Sequence, residues 1–446
     1  MSANLRRGHW KHAPRPAGSP ASGRGLEARL NKLGLSIEGG ASAAVRPGVR
    51  DGISHRPFDR ERRPANRQPS TKRRRRMIAA LISELLKQAG IIIDGPNPWD
   101  IRVRDERWHG RIWREKNLGL GESYMEGWWE CERVDEMIRR LLTAGLDKKI
   151  RGNWKYLLGY LPGLLFNLQS KARSRLVAKR HYDLDESLFL SFLDPYNQYS
   201  CAFFEGTDDL AQAQGNKLDL IMKKLNLSSR DHLLDIGCGW GGLARYAAER
   251  YKCRVTGINI SHEQLRFARE FCRGLPVDFL ESDYRSLSGK FDKIVSVGMF
   301  EHVGSKNHRA FMKTARRCLD DDGVFLLHTI GGNLSQTGCD PWIVKYIFPN
   351  GMLPSAVQIS KAAEGLFVIE DWHNLGPHYD KTLMAWHDNF RKAWPSLREK
   401  FDETFKRMWE YYLLSCAGAF RARDIQVWQI VMTKVGAGRT QPCCRF

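Results

Sequence analysis

The chain has 446 residues, 42% of them hydrophobic, enough for two or three domains and at least one sizeable core. Its formal charge of +21 suggests an anionic partner, but Met1–Arg76 holds 19 lysines and arginines against five acids, so +14 of the excess lies there and the remaining chain is only mildly basic. There is no run of roughly eighteen apolar residues, no apolar signal-peptide core and no C-x-x-C or zinc-type spacing among the ten cysteines, which excludes a transmembrane helix and predicts a cytoplasmic protein with reduced thiols and no structural metal.

Residues 1–76 also carry seven of the 18 prolines and almost no regular apolar spacing, so they cannot repay the entropy of ordering and are expected to form a disordered basic leader. The closing Thr71–Arg76, "TKRRRR", is either a solvated tail or a patch for anionic lipid or nucleic acid. The leader is expected to be dispensable for activity on anionic vesicles.

Order is expected to begin at Met77–Ile91, where Ile78, Leu81, Ile82, Leu85 and Leu86 recur at helical spacing. A second amphipathic helix follows through Val134, Met137, Ile138, Leu141 and Leu142, after the aromatic group Tyr124, Trp128 and Trp129. Trp154–Leu184 joins a Leu/Phe/Tyr-rich stretch to a Lys/Arg cluster, which suits a membrane interface or a linker packed on a neighbouring domain. Pro162 argues against one continuous helix there.

From about His181, strands and helices alternate, the signature of an α/β domain with a largely parallel sheet. "HLLDI", "RVTGI", "VDFL", "KIVSV" and "VFLLH" read as strands. Leu243–Tyr251, Glu263–Cys272 and His308–Leu319 read as helices, and Phe367–Trp372 and Ile425–Met432 as segments that complete the sheet.

"LLDIGCGWGG", Leu233–Gly242, follows a strand and opens a helix, so backbone amides converge where a ligand can approach glycine closely. A dinucleotide and S-adenosylmethionine compete for such a turn. Asp235, Gly237, Gly239 and Gly241 match D/E-x-G-x-G-x-G, the spacing of S-adenosylmethionine methyltransferases. The second strand ends in "GINIS", which offers uncharged Asn259 and then Gln264 where many methyltransferases have an acid for the ribose. Asp283, after the third strand, either accepts from the adenine amino group or caps a helix. In "SVGMFEHVG", Ser296–Gly304, an apolar strand ends in Glu301 and His302, a charge that calls for a chemical explanation.

Together with "HYDLDESLFLSFLDPYNQYSCAFF", "FLLHTIG", "DPWIVKYIFPNG", "HYDKTLMAW", "CAGAFRARDIQVWQ" and, nearer the N-terminus, "GLGESYMEGWWEC", these motifs resemble the bacterial cyclopropane-fatty-acyl-phospholipid synthases, within the mycolic acid cyclopropane synthase-like methyltransferases. The likeness runs from about Ile78 to Val431. It implies a class I S-adenosylmethionine methyltransferase domain of Rossmann-like α/β fold at 181–446, preceded by a small helical lipid-binding domain at 77–165 and a linker at 166–180. It also implies a homodimer attached peripherally to the inner face of the cytoplasmic membrane, with unsaturated phospholipid as substrate.

In that family a methyl group adds across a cis acyl double bond and loss of a proton closes a cyclopropane ring. The family's cofactor segments fall on Tyr199, Ser200, the glycine turn, Asn259, Gln264 and Asp283. Its bicarbonate ion, the base, maps to Cys201, Glu301, His328, the Ile330 backbone and Tyr379. The resemblance thus makes Glu301 an acceptor for the proton of bicarbonate, and leaves the neighbouring His302 a structural role. Each of these residues also has an ordinary reading: Cys201 as a small buried hydrophobe, His328 as a core histidine, Tyr379 as a surface aromatic and Glu301 as a helix cap. Phe203, Phe204, Phe300, Tyr346 and Phe348 are candidates for walls that stabilise a cation or simply fill the core. Three other functions compete: a lipid-binding protein without catalysis, an acyl methyltransferase that leaves the ring open, and a nucleic-acid methyltransferase. The last commonly has N/D-P-P-Y/F after the fourth strand, where this chain has "GMFEH".

Overall fold

The computed structural model describes residues 71–146, 186–336 and 338–438. The predicted linker at 166–180, most of the leader and the segment Trp154–Leu184 lie outside them. Among the described residues no helix is long and apolar enough to cross a membrane.

The first described helix, α1 (Thr71–Gln88), buries Ile78, Ile82 and Leu86 and exposes the opposite face. It starts six residues before the predicted Met77. Lysine and arginine are good helix formers, so the packed turns propagate back through the basic run even though cations oppose the dipole at a helix N-terminus. The expected end of the leader at residue 76 is corrected accordingly.

A two-stranded antiparallel sheet of β1 (Arg102–Val103) and β2 (Trp129–Glu130) brackets α2 (Arg107–Met125), and α3 (Val134–Thr143) follows. Two later helices, α11 (Gly376–Leu397) and α12 (Glu403–Arg421), hold this N-terminal group. Gly418 of α12 lies so close to α3 that a β-carbon there would sit 2.4 Å from the Asp135 carbonyl. Arg421 bridges buried Asp135 at 2.5 Å and Asp380 at 2.8 Å, and the charges beside it hold the Asp135 carboxyl down at about 2 despite burial. One apolar core therefore runs from Ile82, Trp108 and Met137 through Trp342 to Tyr379 and Trp409.

The remaining elements in chain order are α4 (Glu186–Phe192), α5 (Leu210–Leu225), β3 (His232–Ile236), α6 (Gly242–Tyr251), β4 (Arg254–Asn259), α7 (His262–Phe271), β5 (Val277–Glu281), β6 (Phe291–Val297), α8 (His308–Cys318), β7 (Leu319–Gly332), α9 (Pro341–Tyr346), α10 (Ala356–Ala363), β8 (Phe367–Asn374) and, after α11 and α12, β9 (Ile425–Lys434). Their seven-stranded sheet has the order β5-β4-β3-β6-β7-β9-β8. Neighbours from β5 to β7 pair parallel, whereas β9 runs antiparallel to both β7 and β8. All seven strands coincide with predicted apolar runs. The strand order reverses at β3, which has β4 on one side and β6 on the other, so a crevice opens beyond its carboxyl end.

Candidate active site

The glycine turn occupies that crevice. Gly237, Gly239 and Gly241 all have positive φ, between +52° and +87°, and the turn leads directly into α6. Gly242 answers a different constraint: a β-carbon there would lie 1.6 Å from the Tyr196 carbonyl oxygen. The loop Asp194–Cys201 thus rests directly on the turn. Asp194 shapes it by accepting from the amides of Tyr196 and Gln198, each at 2.8 Å.

Two polar residues on the buried stripe of α5 hold the same loop. Lys217 donates to Gln198 Oε1 at 2.6 Å and Ser200 Oγ at 2.9 Å, and Gln214 donates to the Ser200 carbonyl at 2.9 Å. Burial pushes the Lys217 ammonium down to about 8. It also pushes Asp235 up to about 7 against the attraction of Lys217, and leaves Asp235 Oδ2 without a hydrogen-bond partner. The sequence reading missed Gln214 and Lys217. Their signal is periodic: positions 210, 213, 214, 217, 218 and 221 form one buried helical face, and these two are its polar members.

The uncharged residues after β4 act as a pair. Asn259 Nδ2 donates to Gln264 Oε1 at 2.8 Å while its Oδ1 accepts from the Ile260 and Ser261 amides, so both side chains are fixed. Asp283 caps the short turn Tyr284–Ser286, accepting from the Arg285 amide at 2.9 Å and its guanidinium at 2.8 Å. The capping alternative is thus realised, on a residue that still faces the crevice.

Beyond β6 the chain tightens into a turn, Phe300–His302, anchored by Phe300 stacked on His308 at 4.3 Å. This turn carries Glu301 to β7, where its Oε1 accepts from the Ile330 amide at 2.6 Å. Oε2 is buried without a hydrogen-bond partner, and burial pushes the carboxyl up to about 7. His328 lies two residues earlier on β7, opposite Gln429 of β9. The Gln429 amide group donates toward His328 Nδ1 at 3.4 Å, which places the proton of the neutral ring on Nε2. That nitrogen too is buried without a partner, and burial holds the ring well below its ordinary value of 6.5.

Cys201 is fully buried, its thiol raised by desolvation, and Tyr379 packs on Phe420 with ring centroids 4.6 Å apart. One cavity of about 750 Å³ is lined by Cys201, Glu301, His328, Ile330 and Tyr379 and by the predicted cofactor residues. Gly241 alone of these is not on the lining: it opens α6, and its α-carbon faces α7, where a β-carbon would meet Ala268 at 2.8 Å. His302 also faces the cavity, edge-on to Phe348, and burial pushes it down to about 4.

Of the five candidate wall aromatics, Phe348 lines the cavity. Tyr411, Tyr412 and Phe420 of α12 supply walls that the sequence reading did not assign, and Tyr412 hydroxyl bonds that of Tyr199 at 2.8 Å. The far reach of the cavity is apolar, between Ile82 and Leu86 of α1, Ile112 of α2 and Leu142 of α3.

These features fit both implied small molecules. A positive-φ glycine turn at the carboxyl edge of parallel strands, with fixed amide and carboxylate groups alongside, suits the adenosyl and methionyl parts of S-adenosylmethionine. A partnerless imidazole N–H and a partnerless carboxyl oxygen, on residues lining the same cavity, suit an ion that both accepts and donates hydrogen bonds, as bicarbonate does.

Residues 169–430 match the model of the family described as mycolic acid cyclopropane synthetase. The chain is 52% identical over 354 residues to the cyclopropane-fatty-acyl-phospholipid synthase of Escherichia coli, covering 79% of this chain and 93% of that protein. Over 354 residues it is 33% identical to the tuberculostearic acid methyltransferase of Mycobacterium tuberculosis, covering 73% of this chain and 81% of that one. Among solved structures, the mycolic acid cyclopropane synthase CmaA1 complexed with SAH and CTAB superposes with a TM-score of 0.54 at 34% identity, over 58% of this chain and 98% of that one. On fold, glycine turn and extent of identity alike, the chain belongs to the mycolic acid cyclopropane synthetase family and is an S-adenosylmethionine-dependent methyltransferase.

Proposed function

We propose that the enzyme transfers a methylene unit to the cis double bond of unsaturated acyl chains in membrane phospholipids, at the inner face of the cytoplasmic membrane. The observation that carries this reading is the continuity of one cavity, from the glycine turn past Glu301 and His328 to the apolar space among α1, α2 and α3. When bound, S-adenosylmethionine supplies the methyl group and bicarbonate a base. Tyr199, Ser200, Asn259, Gln264 and Asp283 hold the former, with the glycine turn. Cys201, Glu301, His328, Ile330 and Tyr379 surround the latter.

The residues divide the remaining work. An alkene that gains a methyl group becomes a cation, which aromatic faces stabilise by roughly 0.5–2 kcal/mol each. Tyr379, Tyr412 and Phe420 supply such faces and exclude water. Glu301 is already fastened through Oε1 to the Ile330 amide, so Oε2 is the atom left to receive a proton-bearing group and orient it. Neutral His328 offers Nε2–H to an anion without adding a cation that would repel the developing charge.

The test is incubation of the purified protein with S-adenosylmethionine and vesicles of monounsaturated phospholipid, with and without bicarbonate, followed by gas chromatography–mass spectrometry of the acyl chains. The expected product is a ring-bearing chain one CH₂ heavier, formed faster with bicarbonate. A methyl-branched product would instead support open-chain acyl methylation, a reading favoured by the likeness to a tuberculostearic acid methyltransferase.

A further inference from the structure

Lys116 occupies an unusual place. It interrupts α2 with φ +54° and ψ −127°, the geometry of the first central residue of a type II′ turn, which glycine adopts readily and other residues under strain. Its side chain is half-buried and lines the cavity beside Trp113, whose ring centroid lies 4.6 Å from the ammonium. Among the described residues no acid pairs with it, and burial lowers its pKa. A half-buried cation on the wall of an apolar cavity, with an aromatic face beside it and no carboxylate paired with it among the described residues, is free to take an anion that enters the cavity.

The neighbouring wall names the kind of anion. Ile82, Leu85 and Leu86 of α1 line the same cavity, while Lys72, Arg73, Arg74, Arg75 and Arg76 in the first turns of α1 are exposed and form no ion pair among the described residues. At 1.5 Å per residue, Arg76 lies about 9 Å along the helix from Ile82. One helix thus passes from a cationic end to an apolar cavity wall, the order of polarity of an anionic phospholipid.

We propose that Lys116 and the basic start of α1 form a head-group subsite for anionic phospholipid, Lys116 binding the phosphodiester of the lipid whose chain enters the cavity and Arg73–Arg76 holding the surrounding anionic surface. This subsite rests on the function proposed above and names its preferred lipid. It separates residues 1–70 from Thr71–Arg76: the former are dispensable for vesicle activity and the latter are not.

The test uses the full chain and vesicles of matched monounsaturated phosphatidylglycerol or phosphatidylcholine. Lys116→Gly removes the cation and the backbone strain together, so it retains the fold, which unchanged S-adenosylmethionine affinity by calorimetry verifies. KM for phosphatidylglycerol should rise roughly tenfold with kcat within about threefold, and Lys116→Arg should keep KM within about threefold of wild type. Replacing Arg73, Arg74, Arg75 and Arg76 by Gln should abolish any preference for phosphatidylglycerol in vesicle sedimentation and flatten its salt dependence. An unchanged KM in Lys116→Gly, or equal binding of both lipids by wild type, overturns the proposal. So does a KM effect confined to free monounsaturated fatty acid, which would assign Lys116 to a carboxylate. Wild-type protein that sediments with phosphatidylglycerol vesicles but converts no lipid refutes the proposed reaction instead, and leaves the subsite supported.

Discussion

Replacing Glu301 by Gln tests the central electrostatic claim. The carboxyl titrates near 7 instead of at its ordinary 4.5 because burial disfavours the anion more than the Ile330 amide stabilises it. Between those values the folded protein holds a proton that the unfolded chain has released, so this group's contribution to stability is lost as pH rises from 4.5 to about 7. At roughly 1.4 kcal/mol per pH unit, the loss amounts to about 3 kcal/mol by pH 8. Glutamine has the same shape, still accepts from the Ile330 amide through its Oε1 and carries no charge at any pH. Urea unfolding of both proteins without added ligand should therefore find Glu301→Gln more stable relative to wild type at pH 8 than at pH 5, by roughly 2–3 kcal/mol, since part of the loss has already occurred by pH 5. Asp235, which titrates in the same range, is common to both proteins and drops out of the difference. Turnover of the variant should fall roughly 10²- to 10⁴-fold, with S-adenosylmethionine affinity within about threefold of wild type. A stability difference independent of pH would refute the buried-carboxyl argument, and lost cofactor affinity would refute the assignment of Glu301 to the reacting end of the cavity.

Three further perturbations probe the rest of the site. Cys201→Ser should lower turnover while leaving S-adenosylmethionine binding, measured by calorimetry, nearly intact, because the thiol packs at the Tyr379 end of the cavity. Lys217→Met should weaken S-adenosylmethionine binding roughly tenfold or more by releasing Gln198 and Ser200, and unchanged calorimetry would refute the positioning role of this lysine. Gly242→Ala should cost roughly 3 kcal/mol or more in denaturant unfolding, since its methyl would collide with the Tyr196 carbonyl rather than with a movable side chain; a cost below about 1 kcal/mol would show that the Asp194–Cys201 loop is not pressed against the turn.

Much of this protein is decided locally. The central strands β3, β4 and β6 are short apolar runs, because a strand covered on both faces needs little else, and the glycine turn is legible because positive φ at alternate positions, Gly237, Gly239 and Gly241, favours glycine at each. The helical stripe of α1 was legible for the same reason, although the start of the helix was not, since a run of arginines follows packed turns into a helix without any apolar signal of its own.

What the tertiary structure alone decided is which residues meet. The contact of Glu301 with the Ile330 amide spans 29 residues and that of His328 with Gln429 spans 101, separations that no local periodicity encodes. Lys217 and Gln214 read as ordinary helix polar residues until α5 buries that face against the Asp194–Cys201 loop. Lys116 reads as a surface lysine until a left-handed backbone turns it into the cavity wall. The reason is physical: burial converts common polar side chains into a charged or partnerless group with a shifted pKa, and burial is a property of the packed assembly rather than of any segment.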